Sequence, residues 1–290
     1  MEHKPVPGQE PLAPPSPELA QQYLDHAQAV AGRRGYAVDR RALAWLQIAN
    51  ALVTGVYLTA LAGTLQRGIP GETQIVLFTF LVWTQLASGM AQRSGMQWRM
   101  TRSRWPSLVG VVLLGLGALI LFGFAAFDPD LPPVVTLLPG VVVLVGFGGH
   151  GLVQLARASR GPRAPRTART PLSPWARRGT VLVGVAMGAL TFLASAQDGV
   201  ITSVLVLLVA LLLFAWVLAA RTELGLPGIG AAWRWPHVTA FALSASALLA
   251  LVLADRGADG SSLVAGAVGG AGIVLLFVAV SFVRGRDVRE

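Results

Sequence analysis

The chain has 290 residues, of which 54% are hydrophobic and only 13% charged, with no cysteine and a net charge of +9. That charged share is about half the roughly 25% of soluble domains, too little to cover a soluble protein of this size, and the apolar residues come in blocks too long for core helices. The composition points to an integral membrane protein, and the missing cysteines exclude disulfides, thiolate metal sites and cysteine nucleophiles.

Residues 1–17 carry six prolines (Pro5, Pro7, Pro11, Pro14, Pro15 and Pro17) and read as a disordered tail. No apolar stretch precedes residue 42, so no signal peptide is expected. A helix start follows, with Ser16 as N-cap and Pro17 at the first helical position. Leu19, Tyr23, Ala27 and Val30 then fall on one face, which predicts a short amphipathic juxtamembrane helix over 18–41 lying at the inner leaflet or on the bundle ends.

Eight charge-free apolar segments come next: Ala42–Leu65, Thr73–Ala91, Ser107–Phe127, Pro133–Leu155, Gly179–Ala196, Val200–Ala220, Val238–Ala254 and Leu263–Val283. Each matches a hydrocarbon layer about 30 Å thick at 1.5 Å per residue. Continuous apolar runs exclude a spanning β-barrel. The expected fold is therefore an all-α bundle of eight transmembrane spans. It divides into a four-span unit over 42–160, a basic linker over 161–172, a second four-span unit over 173–283 and a basic tail over 284–290.

With the N-terminus placed in the cytoplasm, the outer loops hold only Arg67 and Arg256, leaving 21 of the 23 Lys and Arg residues inside. The same outer loops hold six acids: Glu72, Asp128, Asp130, Asp198, Asp255 and Asp259. The positive-inside rule then puts both termini in the cytoplasm. The net positive charge is accounted for by topology, and no nucleic-acid partner is needed. Residues 156–178 hold seven arginines and read as an orientation and lipid-anchoring loop, making anionic headgroups the first expected partner. A membrane or cytoplasmic protein docking on the tail and loops is the second. The use of 22 arginines against one lysine has the style of a high-GC bacterial gene and suggests a bacterial plasma membrane.

Trp45, Trp105, Trp175 and Trp235 stand at the inner entrance of each odd-numbered span. Arg104-Trp105-Pro106 recurs as Arg234-Trp235-Pro236, and Trp45/Trp175 share the same offset of 130. This spacing fits a four-plus-four parallel tandem repeat. The preference of Trp for membrane interfaces would place the same residues without duplication.

No Asp, Glu, Lys or Arg falls inside the eight segments, whereas ion-coupled transporters place such groups at mid-membrane. His150, near the inner end of the fourth span, and His237, at the start of the seventh, read as packed or interfacial residues. Gly146-Phe147-Gly148-Gly149-His150-Gly151 fits G-x-G-x-x-G, but no acid lies between Asp130 and Asp198 to hold a ribose, so these glycines read as helix packing. Gly184 with Gly188, and Gly266 with Gly270, are small-residue steps of the kind that let helices approach in lipid. Gln47, Asn50, Thr54 and Tyr57 lie within an arc of about 80° on the first span, and Gln85, Ser88 and Gln92 line one face of the second. These polar residues form either interhelical hydrogen bonds or a hydrated path.

No catalytic constellation, cofactor site or metal-ligand spacing is visible, so the chain is not expected to be an enzyme. Two functional classes follow. The first is a non-catalytic membrane component acting as a scaffold, regulatory or immunity-type subunit. The second is a permease or exporter for a neutral or lipophilic solute, not proton-coupled by its own residues.

Overall fold

The structure, a computed structural model, describes residues 16–19, 21–23, 39–68, 70–95, 105–128, 131–160, 169–196, 200–222, 225–254 and 261–286. The chain divides into two units, Met1–Val38 and Asp39–Glu290. In the first, residues 17–19 and 21–23 are helical. Ser16 Oγ accepts the Leu19 backbone N–H at 3.3 Å, the capping contact the sequence calls for. Leu19 and Tyr23 are exposed, and Ala27 and Val30 lie outside the described residues.

The second unit is helical. Its helices are α1 (Arg40–Gln66), α2 (Pro70–Arg93), α3 (Trp105–Phe127), α4 (Leu138–Val143), α5 (Gly149–Ser159), α6 (Pro174–Leu193), α7 (Val200–Leu218), α8 (Leu226–Ala232), α9 (Trp235–Leu253) and α10 (Ser261–Ser281). A 3-10 turn over Pro133–Leu137 leads into α4, and a π-helical turn over Leu144–Gly148 joins α4 to α5, making one rod. Among the described residues seven helices are long and apolar enough to cross a membrane: α1, α2, α3, the rod, α6, α9 and α10. The sixth expected segment forms α7, whose described apolar stretch, Ser203–Leu218, is shorter.

Local chemistry sets the helix ends. Asp39 caps α1 by accepting the Ala42 N–H at 2.9 Å, and Ser173 caps α6 by accepting that of Ala176 at 3.1 Å. The α6 cap sits well before Gly179, so α6 starts earlier than its charge-free core and takes Arg177 and Arg178 into its first turns. Their stems stay on apolar surface, with Arg177 3.6 Å above the Phe282 ring and Arg178 4.9 Å above Trp175. After α1 and α2 come Gly68 (φ +67°) and Gly95 (φ +84°), left-handed positions that end a helix at little steric cost.

Long-range bonds sort the helix ends onto two faces. Asp39 N–H donates to the Ser94 carbonyl (3.2 Å), and Arg41 donates to the carbonyls of Ala158 (3.2 Å) and Ser159 (2.8 Å) at the end of α5. Arg93 donates to the Ala231 carbonyl, and an antiparallel pair joins Arg169–Thr170 to Gly285–Arg286. These ends form one face rich in arginine. On the other, Gln66 donates to the Ala125 carbonyl (2.6 Å) and Arg67 to that of Val252 (3.2 Å). The start of α1 and the end of α10 therefore lie on the same side.

Glycine decides how closely the rods approach. A Cβ on Gly55 would meet the Gly140 carbonyl oxygen at 2.9 Å, and one on Gly188 would meet that of Gly270 at 2.7 Å. These contacts seat α1 on the α4–α5 rod and α6 on α10. In lipid such backbone approach supplies the van der Waals packing that apolar burial cannot.

Two expectations are corrected here. Residues 225–234, expected to be part of a cytoplasmic loop, fold back into the bundle. Leu226, Ile229, Ala232 and Trp233 are buried, and α8 packs backbone to backbone on α2 where Gly89 meets Pro227 and Gly230 meets Leu86. The apolar sequence LPGIGAA is too short to span but apolar enough to be buried against protein. Glu72, expected in an outer loop, lies in the first turn of α2 and is 2% exposed, 3.6 Å from the Arg67 guanidinium. That ion pair is what allows a carboxylate to enter the packed end of the bundle.

Candidate functional site

Tryptophans organise the interior at the arginine face. Trp233 follows α8 and is 2% exposed; its indole N–H donates to Thr180 Oγ1 at 3.0 Å, and Thr180 in turn donates to the Ala176 carbonyl at 2.8 Å. Trp233 stacks on His237 (5.9 Å between ring centres) and packs against Phe241 and Phe277. Trp83 of α2 packs on Phe241 at 5.6 Å. This cluster joins α2, α6, α8, α9 and α10 and was missed in the sequence, where only the interfacial tryptophans stood out. Part of the signal was there: Trp83 sits inside an apolar segment rather than at its entrance, whereas Trp233 stands beside Arg234 and the entrance residue Trp235.

Beside the cluster opens a cleft of about 540 Å³. Ala42, Trp45, Leu46 and Ala49 of α1 form one wall. Trp83, Met90, Arg93 and Ser94 of α2 form another, and Ala231, Trp233, Arg234, Trp235, Pro236, Val238, Val283 and Arg284 complete it. Trp83 lies ten residues before Arg93, so the cleft runs inward for about 15 Å at 1.5 Å per residue. Among the described residues Arg93, Arg234 and Arg284 line it, and no Asp or Glu does.

The structure places the sequence candidates as follows. Asn50 Oδ1 accepts the Trp83 indole N–H at 3.1 Å, a direct tie between α1 and α2. Tyr57 is buried against Phe80 at 5.5 Å, and its hydroxyl makes no well-formed hydrogen bond; the neighbouring Thr79 hydroxyl donates to the Ile75 carbonyl. Ser88 donates to the Gln85 carbonyl within its own helix at 2.9 Å. Gln47, Thr54 and Gln85 are partly buried. None of the six polar candidates lines the cleft, although Asn50 touches its floor through Trp83.

Trp45, Trp175 and Trp235 are about half exposed near helix starts on the arginine face, and Trp105 opens α3. Gly184 faces Phe277, Gly188 and Gly270 face each other, and Gly266 faces Ser195, so all four serve the contact between α10 and the α6 end. His150 is exposed and pairs with Gln154 at 2.7 Å. His237 is fully buried; its Nδ1 accepts the Arg234 backbone N–H at 3.3 Å, and its Nε2 has no hydrogen-bond partner. Gly146 packs against Leu114 and Gly151 against Ile48, the contacts of a packing surface. Among the described residues no group of three His, Asp or Glu side chains could hold a metal.

No family model, curated protein or solved structure matches this chain.

Proposed function

We propose that the protein is a non-catalytic component of the bacterial plasma membrane, crossing it eight times with the arginine face in the cytoplasm, and serving as a scaffold, regulatory or immunity-type subunit. The observation that carries this reading is the position of Trp83. It packs between α1 and α9 and bonds to Asn50, which supports interhelical hydrogen bonding rather than a hydrated path at this point of the polar stripe. Among the described residues the buried carboxylate and imidazole, Glu72 and His237, sit in the first turns of α2 and α9 on opposite faces, with the thickness of the bundle between them. Neither reaches mid-span, so no proton relay follows from them.

A permease for a lipophilic solute is the second reading, supported by the apolar cleft open to one leaflet. The 19 residues of α7 support an eighth crossing. A tandem repeat is supported by the pattern of packing: α1 meets the fourth rod most extensively, as α6 meets α10, and Gly140 and Gly270 stand 130 residues apart at those two contacts.

Reconstitution of the protein alone in liposomes tests the first reading. The expected result is no proton current and no solute uptake that follows a pH gradient. A pH-gradient-driven flux abolished by His150→Ala or Glu72→Gln would replace it with a coupled transporter.

A further inference from the structure

We infer that the cleft is a binding site for an uncharged, flat ring compound that reaches it from the membrane. The inference deepens the permease reading by naming a ligand class for its site, and it concerns binding alone. Three observations carry it. The first is that the polar groups lining the cleft are already engaged by the protein. The Trp83 indole N–H donates to Asn50 Oδ1 at 3.1 Å and that of Trp233 to Thr180 Oγ1 at 3.0 Å, so neither indole on the floor has a donor left to offer. At the mouth the Ser94 hydroxyl donates to the Met90 carbonyl at 2.9 Å, Arg93 donates to the Ala231 carbonyl, and Arg234 has partners of its own. A polar ligand would have to displace these bonds, whereas an apolar one displaces none. The second is the character of the exposed wall. The half-exposed Trp45 of α1 and Trp235 of α9 both line the cleft, and so does Met90. Indoles favour offset or edge-on contact with another ring, and a thioether adapts to a ring edge. The exposed surface of α3 is aliphatic by comparison, with Val112, Leu113, Leu116, Leu119 and Ile120. The third is width. A volume of about 540 Å³, within the range of small-ligand sites, spread over a depth of about 15 Å gives a mean cross-section of about 36 Å². Apolar atoms pack about 4 Å apart, so one extended alkyl chain would fill only about half of that section. A fused ring pair is the shape that fills it.

Photolabelling of the full chain in phosphatidylcholine liposomes with a neutral naphthyl diazirine, mapped by peptide mass spectrometry, tests the site. Labelling of the peptides that carry Trp45, Ala49, Met90 and Trp235 should fall about tenfold under excess ethylnaphthalene, by mass action at one site. Labelling of the exposed surface of α3, at Leu113 and Leu116, should not change. Ala49→Trp, which fills the apolar wall, should abolish the competed fraction. If that variant does not fold, Trp45→Leu combined with Trp235→Leu, changes at half-exposed positions, should reduce it about fivefold while keeping the walls apolar. Binding is read whether or not the compound is moved, so competed labelling in a protein that gives no uptake would keep the site and remove the permease. Cleft labelling no more competed than that of α3, or competition by hexadecane as strong as by ethylnaphthalene, would overturn the site. So would an undiminished competed fraction in Ala49→Trp or in the double variant.

Discussion

Replacing Gly188 by alanine separates helix packing from helix propensity. A Cβ at this position would stand 2.7 Å from the Gly270 carbonyl oxygen and 2.8 Å from Val274 Cγ2. The oxygen belongs to a helix backbone, so α10 must move as a rod. Overpacking of this kind costs about 1–3 kcal/mol, against a gain of about 1 kcal/mol for replacing glycine in a helix interior. Gly272, on the same α10, has nothing within 4 Å of its added Cβ, so Gly272→Ala receives the gain alone. The two variants should differ by about 1–3 kcal/mol, with Gly188→Ala the weaker. Combining Gly188→Ala with Gly270→Ala should cost less than the sum, because the helices have already separated. Unfolding by SDS in mixed micelles, followed by tryptophan fluorescence, reads these differences. Equal midpoints for Gly188→Ala and Gly272→Ala would refute the close approach of α6 and α10.

Trp83→Phe keeps most of the ring but loses the bond to Asn50, and should cost about 0.6 kcal/mol, the mean for interhelical hydrogen bonds in lipid; Trp83→Ala should cost about 3–5 kcal/mol. The same unfolding assay checks both. Arg67→Met removes the ion pair of a Glu72 carboxylate that is 2% exposed, so it should destabilise by more than Arg67→Met combined with Glu72→Gln. Because the Arg67 side chain is 31% exposed, the expected cost is at the lower end, about 1–3 kcal/mol. A double-mutant cycle with no coupling would show that the pair is incidental.

The long apolar runs made the helices legible, because only a helix satisfies every backbone group inside lipid. Ser16 as a cap was legible for the same kind of reason, a local side-chain bond of fixed spacing. What escaped was set by tertiary contact. α8 reads as a loop because seven apolar residues cannot span, and only the glycines at 89 and 230 let it bury against α2. Glu72 reads as a loop acid because its partner, Arg67, lies across the turn from α1 and charge counting treats both as surface. The cleft depends on residues from α1, α2, α9 and both sides of α8, distances in sequence that no local pattern records. The polar stripe of Gln47, Asn50, Thr54 and Tyr57 was visible as an arc, but which helix it meets depends on Trp83 and Phe80.

Single cysteines placed at Asp128, Asp198, Asp259 and Arg166 of a chain with no native cysteine settle the membrane topology. In intact cells an impermeant thiol reagent should label the first three and spare Arg166→Cys until the membrane is opened. Asp198→Cys is the most informative together with Asp259→Cys, since α7 and α9 lie between them and labelling of both, with α9 crossing, requires α7 to cross as well. Labelling of Arg166→Cys in sealed cells, or protection of Asp198→Cys, would contradict an eight-span bundle with its arginine face in the cytoplasm.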